Sequence, residues 1–324
     1  MKRFLRLSAH IQLLPLLESG EETLVGGQAV MEGVMMRAPH SYCVAVRKPS
    51  GELVTEEQAI PRMSEKYPLF KFPVLRGIGT LGQAMMLGMK ALHFSANAAL
   101  EEENAPKKEK TDASSRVLLG AVLFSVVMMI LVFKFVPLLL ATQLGSFVPA
   151  LSGRFATNMS DGVIRMIILL VYMYAISQFK DIRRVFQYHG AEHKVVFNYE
   201  SKQPVTVENA QKFTTFHPRC GTSFILVVFG IAMVVYALVP VDGFLAKFAA
   251  RIALLLPISG LSYEVIRFAA KRQGTLMGML TVPGLWLQRI TTKQPDDTQA
   301  AVAIHALEGA MALEDKQGGE LVIA

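Results

Sequence analysis

The chain is poor in charge and nearly devoid of cysteine. Only 18% of its 324 residues are Asp, Glu, Lys or Arg, while 52% are hydrophobic. That balance excludes a disordered chain and sets the protein apart from an ordinary soluble domain. Two cysteines, Cys43 and Cys220, are too few for a disulfide framework, so a stapled extracellular mini-domain is also excluded. No G-K-[ST] follows the glycines near the start, which removes a phosphate-binding loop, and there is no specific nucleic-acid motif. The leading class is an α-helical integral membrane protein, with the lipid bilayer as first partner. Its formal charge of +7 then reports which loops stay in the cytoplasm.

Apolar runs able to cross ~30 Å of hydrocarbon predict four transmembrane helices in two hairpins. Val117 to Leu140 carries only Lys134, and Val163 to Phe179 has Arg165 at one edge. Ser223 to Val241 has no charge. Ala249 to Phe268 is interrupted by Pro257 and contains Arg251, Glu264 and Arg267, of which the last two lie on one helix face and can neutralise each other. Glu264 and Lys134 are the notable charges well inside the spans. Lys180, Arg183, Arg184, Lys194, Lys202, Lys212 and Arg219 fall between spans two and three, whereas Arg154 and Lys247 stand alone in the opposite loops. The basic loop, and with it both termini, is expected to be cytoplasmic.

The remaining segments divide by composition. Residues 1–24 superficially resemble a signal peptide but end without an A-x-A-like site, which suggests an uncleaved, interfacial start. Residues 25–70 form a cytoplasmic segment in which YCVAVRK and ELVTEEQ flank Pro49-Ser50-Gly51, the pattern of a β-hairpin. Residues 71–100 are apolar and glycine-rich, read as an interfacial or re-entrant helix, and 101–116 form a charged linker. Residues 180–222 make a cytoplasmic, histidine-rich loop, helical at both ends and with a capped helix starting near Thr206. Residues 269–324 read as a cytoplasmic tail, which from Thr291 is polar, then weakly helical, and peripheral to the rest. The soluble part is thus a small mixed α/β portion built from both loop regions.

Chemistry concentrates in that loop. YHGAEHKVVFNYE contains H-x-x-E-H: His189 and His193, at i and i+4, project from one helix face, Glu192 stands beside them, and Gly190 leaves room for close approach. FHPRCGTSF adds His217 and Cys220 just before span three. Two histidines with His217 or Cys220 supply the nitrogen and sulfur ligands that zinc prefers, iron being the other candidate. The alternative is that these histidines are core residues satisfied by backbone. Three ligands leave an open position with Glu192 as general base, whereas four close the site, and spacing does not decide between them. In VGGQAVMEGVMMRAPHSY, Glu32 and Arg37 either reach the metal or substrate or belong to a glycine-bent segment that packs its methionines.

Taken together, GGQAVMEGVMMR, PVLRGI, GMKALHFSAN, HGAEHK, NAQKFTTFHPRCGTSF, the SYEVIRF run and PGLWLQRITTKQPDD resemble the YqhQ-like family, a bacterial domain of unknown function, over about Val25 to Ile304. The resemblance implies a bacterial cytoplasmic membrane protein and, by general description, a metal-dependent enzyme. By motif it points to His189, Glu192, His193, His217 and Cys220, with Glu32 and Arg37; Arg219 and Glu264 are further supporting candidates beside these. Two functions follow. One is a metal-dependent hydrolase at the cytoplasmic face. The other is a non-catalytic membrane factor whose structural metal site presents a basic face to a protein partner.

Overall fold

The computed structural model describes residues 25–61, 63–100, 112–217, 220–270 and 282–317. The expected start at 1–24, residues 101–111 of the charged linker, and Arg219 lie outside them. Four strands, β1 (Gly26–Val30), β2 (Gly33–Arg37), β3 (Ser41–Arg47) and β4 (Leu53–Ala59), form an antiparallel meander in sequence order. The predicted hairpin is β3–β4. The glycine-bent segment before it is instead a second hairpin, β1–β2. Its turn places Glu32 at φ 52°, and Val30 pairs with Gly33 across it.

Side chains alternate along the strands with period two, and both faces of the sheet are buried. Val34, Met36, Cys43 and Ala45 face one layer, whereas Val30, Met35, Tyr42, Val44 and Val46 face the other. That second layer is α1 (Leu75–Leu100), one uninterrupted helix that applies Leu87, Ala91 and Ala98 to the sheet. Beyond α1 come α2 (Asp112–Ile130), a π-helical turn at Leu131–Phe135, and α3 (Val136–Phe147). They are followed by α4 (Arg154–Ile176), α5 (Lys180–Glu200), α6 (Val207–Gln211), α7 (Gly221–Leu238), α8 (Phe244–Ala253), α9 (Leu255–Ala270), α10 (Val282–Thr291) and α11 (Asp297–Gln317).

Among the described residues, three helical stretches are long and apolar enough to cross a membrane, Val122–Phe147, Arg154–Ile176 and Gly221–Leu238. A fourth is reached if α8 and α9, bent by 51°, count as one span. The second stretch starts nine residues before the expected Val163. Its Asp161 and Arg165 pair within the bundle, at 2.6 Å, and so do not end the helix. Glu264 is not neutralised by Arg267. It accepts from Arg76 Nε and Nη2 at 3.2 and 2.6 Å, and this ties α1 to α9 where Gly77 lies against Gly260.

The tail is not peripheral. Helix α11 lies on the sheet with Ala300, Val302, Ala303, Ile304, Ala306, Leu307 and Ala310 buried. Burial of Val302 and Leu307 alone is worth about 1.5–3 kcal/mol each. Its buried face is mostly alanine, which packs closely but gives little hydropathic contrast in the sequence. Helix α5 packs beside α11, placing Tyr188, Ala191, Val195 and Val196 in the same core. This seating fixes which face of α5 looks away from the sheet.

Candidate metal centre

The face of α5 turned from the core carries His189 and His193, whose ring centroids are 4.4 Å apart. Cys220 arrives from the start of α7, where it is the N-cap residue and its Sγ accepts from Thr222 N at 3.5 Å. One ligand atom from each of His189, His193 and Cys220 lies within 4.8 Å of the others. Cys220 Sγ and His189 Nε2 are 3.3 Å apart.

The orientation of both rings is fixed by backbone. His189 Nδ1 donates to Thr291 O at 2.9 Å, and His193 Nδ1 donates to Thr215 O at 2.6 Å. A carbonyl oxygen only accepts, so each Nδ1 carries a proton, and in the neutral ring Nε2 is the nitrogen with the lone pair. His193 Nε2 is buried with no hydrogen-bond partner, an orphan that a metal ion would satisfy. The first of these carbonyls is in place because of Gly190, where a Cβ would collide with the carbonyl oxygen of Lys293. The chain after α10 therefore crosses directly over α5, and Lys293 N donates to Phe186 O at 2.9 Å.

The second carbonyl belongs to the segment between α6 and α7, which is wrapped onto α5. Buried Lys194 donates to Gln211 O at 2.9 Å and to Phe213 O at 2.7 Å. Burial pulls its ammonium below the ordinary lysine range. Thr206 caps α6 through Asn209 N, as the sequence predicts.

Glu192 is buried beside the cluster, with Oε2 3.4 Å from His193 Nε2. Gly27 of β1 makes room for it, since a Cβ there would lie 2.6 Å from Glu192 Cγ. The N-terminal motif thus reaches the site through a glycine, not through its charged residues. Glu32 instead accepts from Arg184 Nε, from Arg184 Nη2 at 2.7 Å and from Tyr188 OH at 3.3 Å. Arg37 donates to Gln83 at 2.9 Å, and Glu264 is held by Arg76.

His217 stands next to the cluster without joining it. Its ring centroid is 5.5 Å from that of His193, and its Nε2 is 3.6 Å from Glu200 Oε2. Gln288 of α10 clamps its main chain, accepting from His217 N at 2.8 Å and donating to His217 O at 2.7 Å. Burial pushes its imidazole down to about 4, with Glu192 opposing and His189 adding to the shift. Of the two candidates for a third ligand, the fold brings in Cys220. Gln288, Thr215 and Thr291 carried no signal in the sequence, because a backbone carbonyl or an amide clamp has no residue signature.

Comparison with known proteins adds a family but no activity. A family model described as a protein of unknown function (DUF1385) matches residues 72–313, a stretch that contains all three cluster residues. The chain is 37% identical over 297 residues to the uncharacterised protein YqhQ of Bacillus subtilis (strain 168), covering 89% of this chain and 92% of that protein. No solved structure matches.

Proposed function

The chain belongs to the DUF1385 family of proteins of unknown function, and from its own site we propose a multi-pass protein of the bacterial cytoplasmic membrane with a zinc-dependent hydrolytic centre at the cytoplasmic face. The observation that carries this reading is the convergence of His189, His193 and Cys220 within 4.8 Å, with both Nε2 lone pairs freed by carbonyls at Nδ1. A His2Cys set suits zinc best, with iron as the alternative, and leaves a tetrahedral ion one open position. Zinc, when bound, supplies an electrophile and lowers the pKa of water. Glu192 has the placement of a general base, its carboxylate beside the ligand atoms rather than on the solvent side of α5. The substrate would enter from the cytosol or from the membrane interface.

A second reading is favoured by the way the cluster ties α5 to α7 and to the end of α10. In it the ion is structural, and the basic residues of α5 present a face to a protein partner. Elemental analysis of detergent-purified protein separates the outcomes. Near-stoichiometric zinc that disappears in His193→Ala and Cys220→Ser supports the centre, and its absence from the wild type overturns it. Glu192→Gln should keep the metal and fail to complement a strain lacking the protein. Full complementation would leave the structural reading.

A further inference from the structure

A second set of charged side chains lies buried in the apolar bundle. Asp161 and Arg165 on α4 and Arg251 on α8 are 1%, 1% and 2% exposed. Asp161 Oδ2 alone accepts from Arg165 Nη2 at 2.6 Å, Arg251 Nη2 at 3.2 Å and Arg251 Nε at 3.4 Å. Asn158 takes Arg251 Nη2 as well, at 2.8 Å. Lys134, carried on the π-helical turn, donates to Tyr236 OH at 3.4 Å. All three cations crowd the Tyr236 ring, 4.9 to 5.8 Å from its centroid. π-Helical turns inside α-helices often occur at functional sites.

Three cations therefore face one carboxylate in a low-dielectric setting, where guanidinium does not give up its proton and an uncompensated charge costs several kcal/mol. Sharing one carboxylate between two guanidiniums also leaves two buried atoms without hydrogen-bond partners, the donor Arg165 Nε and the acceptor Asp161 Oδ1. An anion that also brings a donor of its own completes both. We propose that Lys134 and Arg165 donate to a phosphate-type oxyanion, with Arg251 adding its charge, Tyr236 holding Lys134 in place and Asp161 accepting a hydrogen bond from the same ligand.

Tyr236 OH already donates to Arg251 O at 3.3 Å, and the guanidinium of Arg165 with the Lys134 ammonium suits several oxygens at once, which favours an oxyanion over a halide. Free phosphate brings a P–OH donor, and a phospholipid headgroup brings an ammonium or hydroxyl. The site lies at the far end of α7 from Cys220, about 24 Å away at 1.5 Å rise per residue between Cys220 and Tyr236. It is independent of the metal centre.

The test uses the full chain in detergent. Native mass spectrometry is run first, and then thermal unfolding is followed against inorganic phosphate at constant ionic strength after delipidation. A phospholipid retained by the wild type and lost in Lys134→Met identifies a headgroup site. A saturable rise in Tm with phosphate, without retained lipid, identifies a free anion. In either case Lys134→Met should weaken binding about tenfold or more, and Asp161→Asn, which removes the competing negative charge, should tighten it. Absence of both lipid and phosphate effects, or an equal Tm rise in wild type and Lys134→Met, overturns the proposal. Should Asp161→Asn fail to fold, the comparison of wild type with Lys134→Met decides.

Discussion

Cys220 Sγ lies 3.3 Å from His189 Nε2, joining the N-cap of α7 to the middle of α5 across 31 residues of sequence. His217, three residues earlier, stays with Glu200 and Gln288. We therefore expect Cys220→Ser to lose bound zinc and His217→Ala to keep it, read as metal-to-protein ratio after gel filtration. The reverse order would mean that the ligand set has been assigned wrongly.

Gly190→Ala tests the carbonyl support. A Cβ there runs into Lys293 O and lies 3.2 Å from Thr215 Cγ2, so it disturbs the segments holding both Nδ1 atoms. The expected cost is about 1–3 kcal/mol in stability, with zinc affinity falling about 10- to 100-fold. Thermal unfolding and competition with a chromophoric chelator measure the two separately, and unchanged values of both would contradict the close crossing.

Removing α11 should expose one face of the sheet. A chain ending after Pro295 leaves Cys43, Ala45 and Met36 without Ala303, Leu307 and Ala310, and Ser41 without its bonds to Ala310 O and Glu314. Limited proteolysis should then cut within residues 26–59 while the apolar helices stay protected. Resistance equal to the full chain would return α11 to the periphery.

Cys43 gives the protein an alkaline limit. Burial, with Glu57 nearby, pushes its thiol up to about 12. The unfolded chain releases that proton near 9, so between these values the unfolded state binds fewer protons and stability falls as pH rises, by about 1.4 kcal/mol per unit. Tyr42, pushed up to about 12 by burial and by Glu56, acts in the same direction. Denaturant unfolding from pH 8 to 10.5 should show this decline, shallower in Cys43→Ala. Parallel curves for the two proteins would exclude the thiol as a cause.

The sequence made some of this legible and hid the rest for identifiable reasons. The i, i+4 spacing of His189 and His193 placed them together because a helix period is local. The choice of Cys220 over His217 was hidden because Gln288, 71 residues on from His217, decides it. The apolar runs located the membrane-length helices. Their charges misled, since Arg165 read as the edge of a span while in the bundle it donates to Asp161, which also accepts from Arg251. Glu32 and Arg37 drew attention as polar groups among methionines, yet their partners, Arg184 and Gln83, lie in other elements. The hairpin β3–β4 was visible through its turn and alternation. The burial of both faces of the sheet was not, because α1 covers one and α11, about 200 residues later, covers the other.

The bond from Ser41 Oγ to Ala310 O spans 269 residues. At ~5–20 residues per second of synthesis, β3 waits roughly 15 to 50 s for the helix that covers it. During that interval the apolar helices are synthesised, while the sheet face that carries Cys43 and Ala45 has no cover from α11. The sheet therefore closes last, after every apolar helix of the chain has been made.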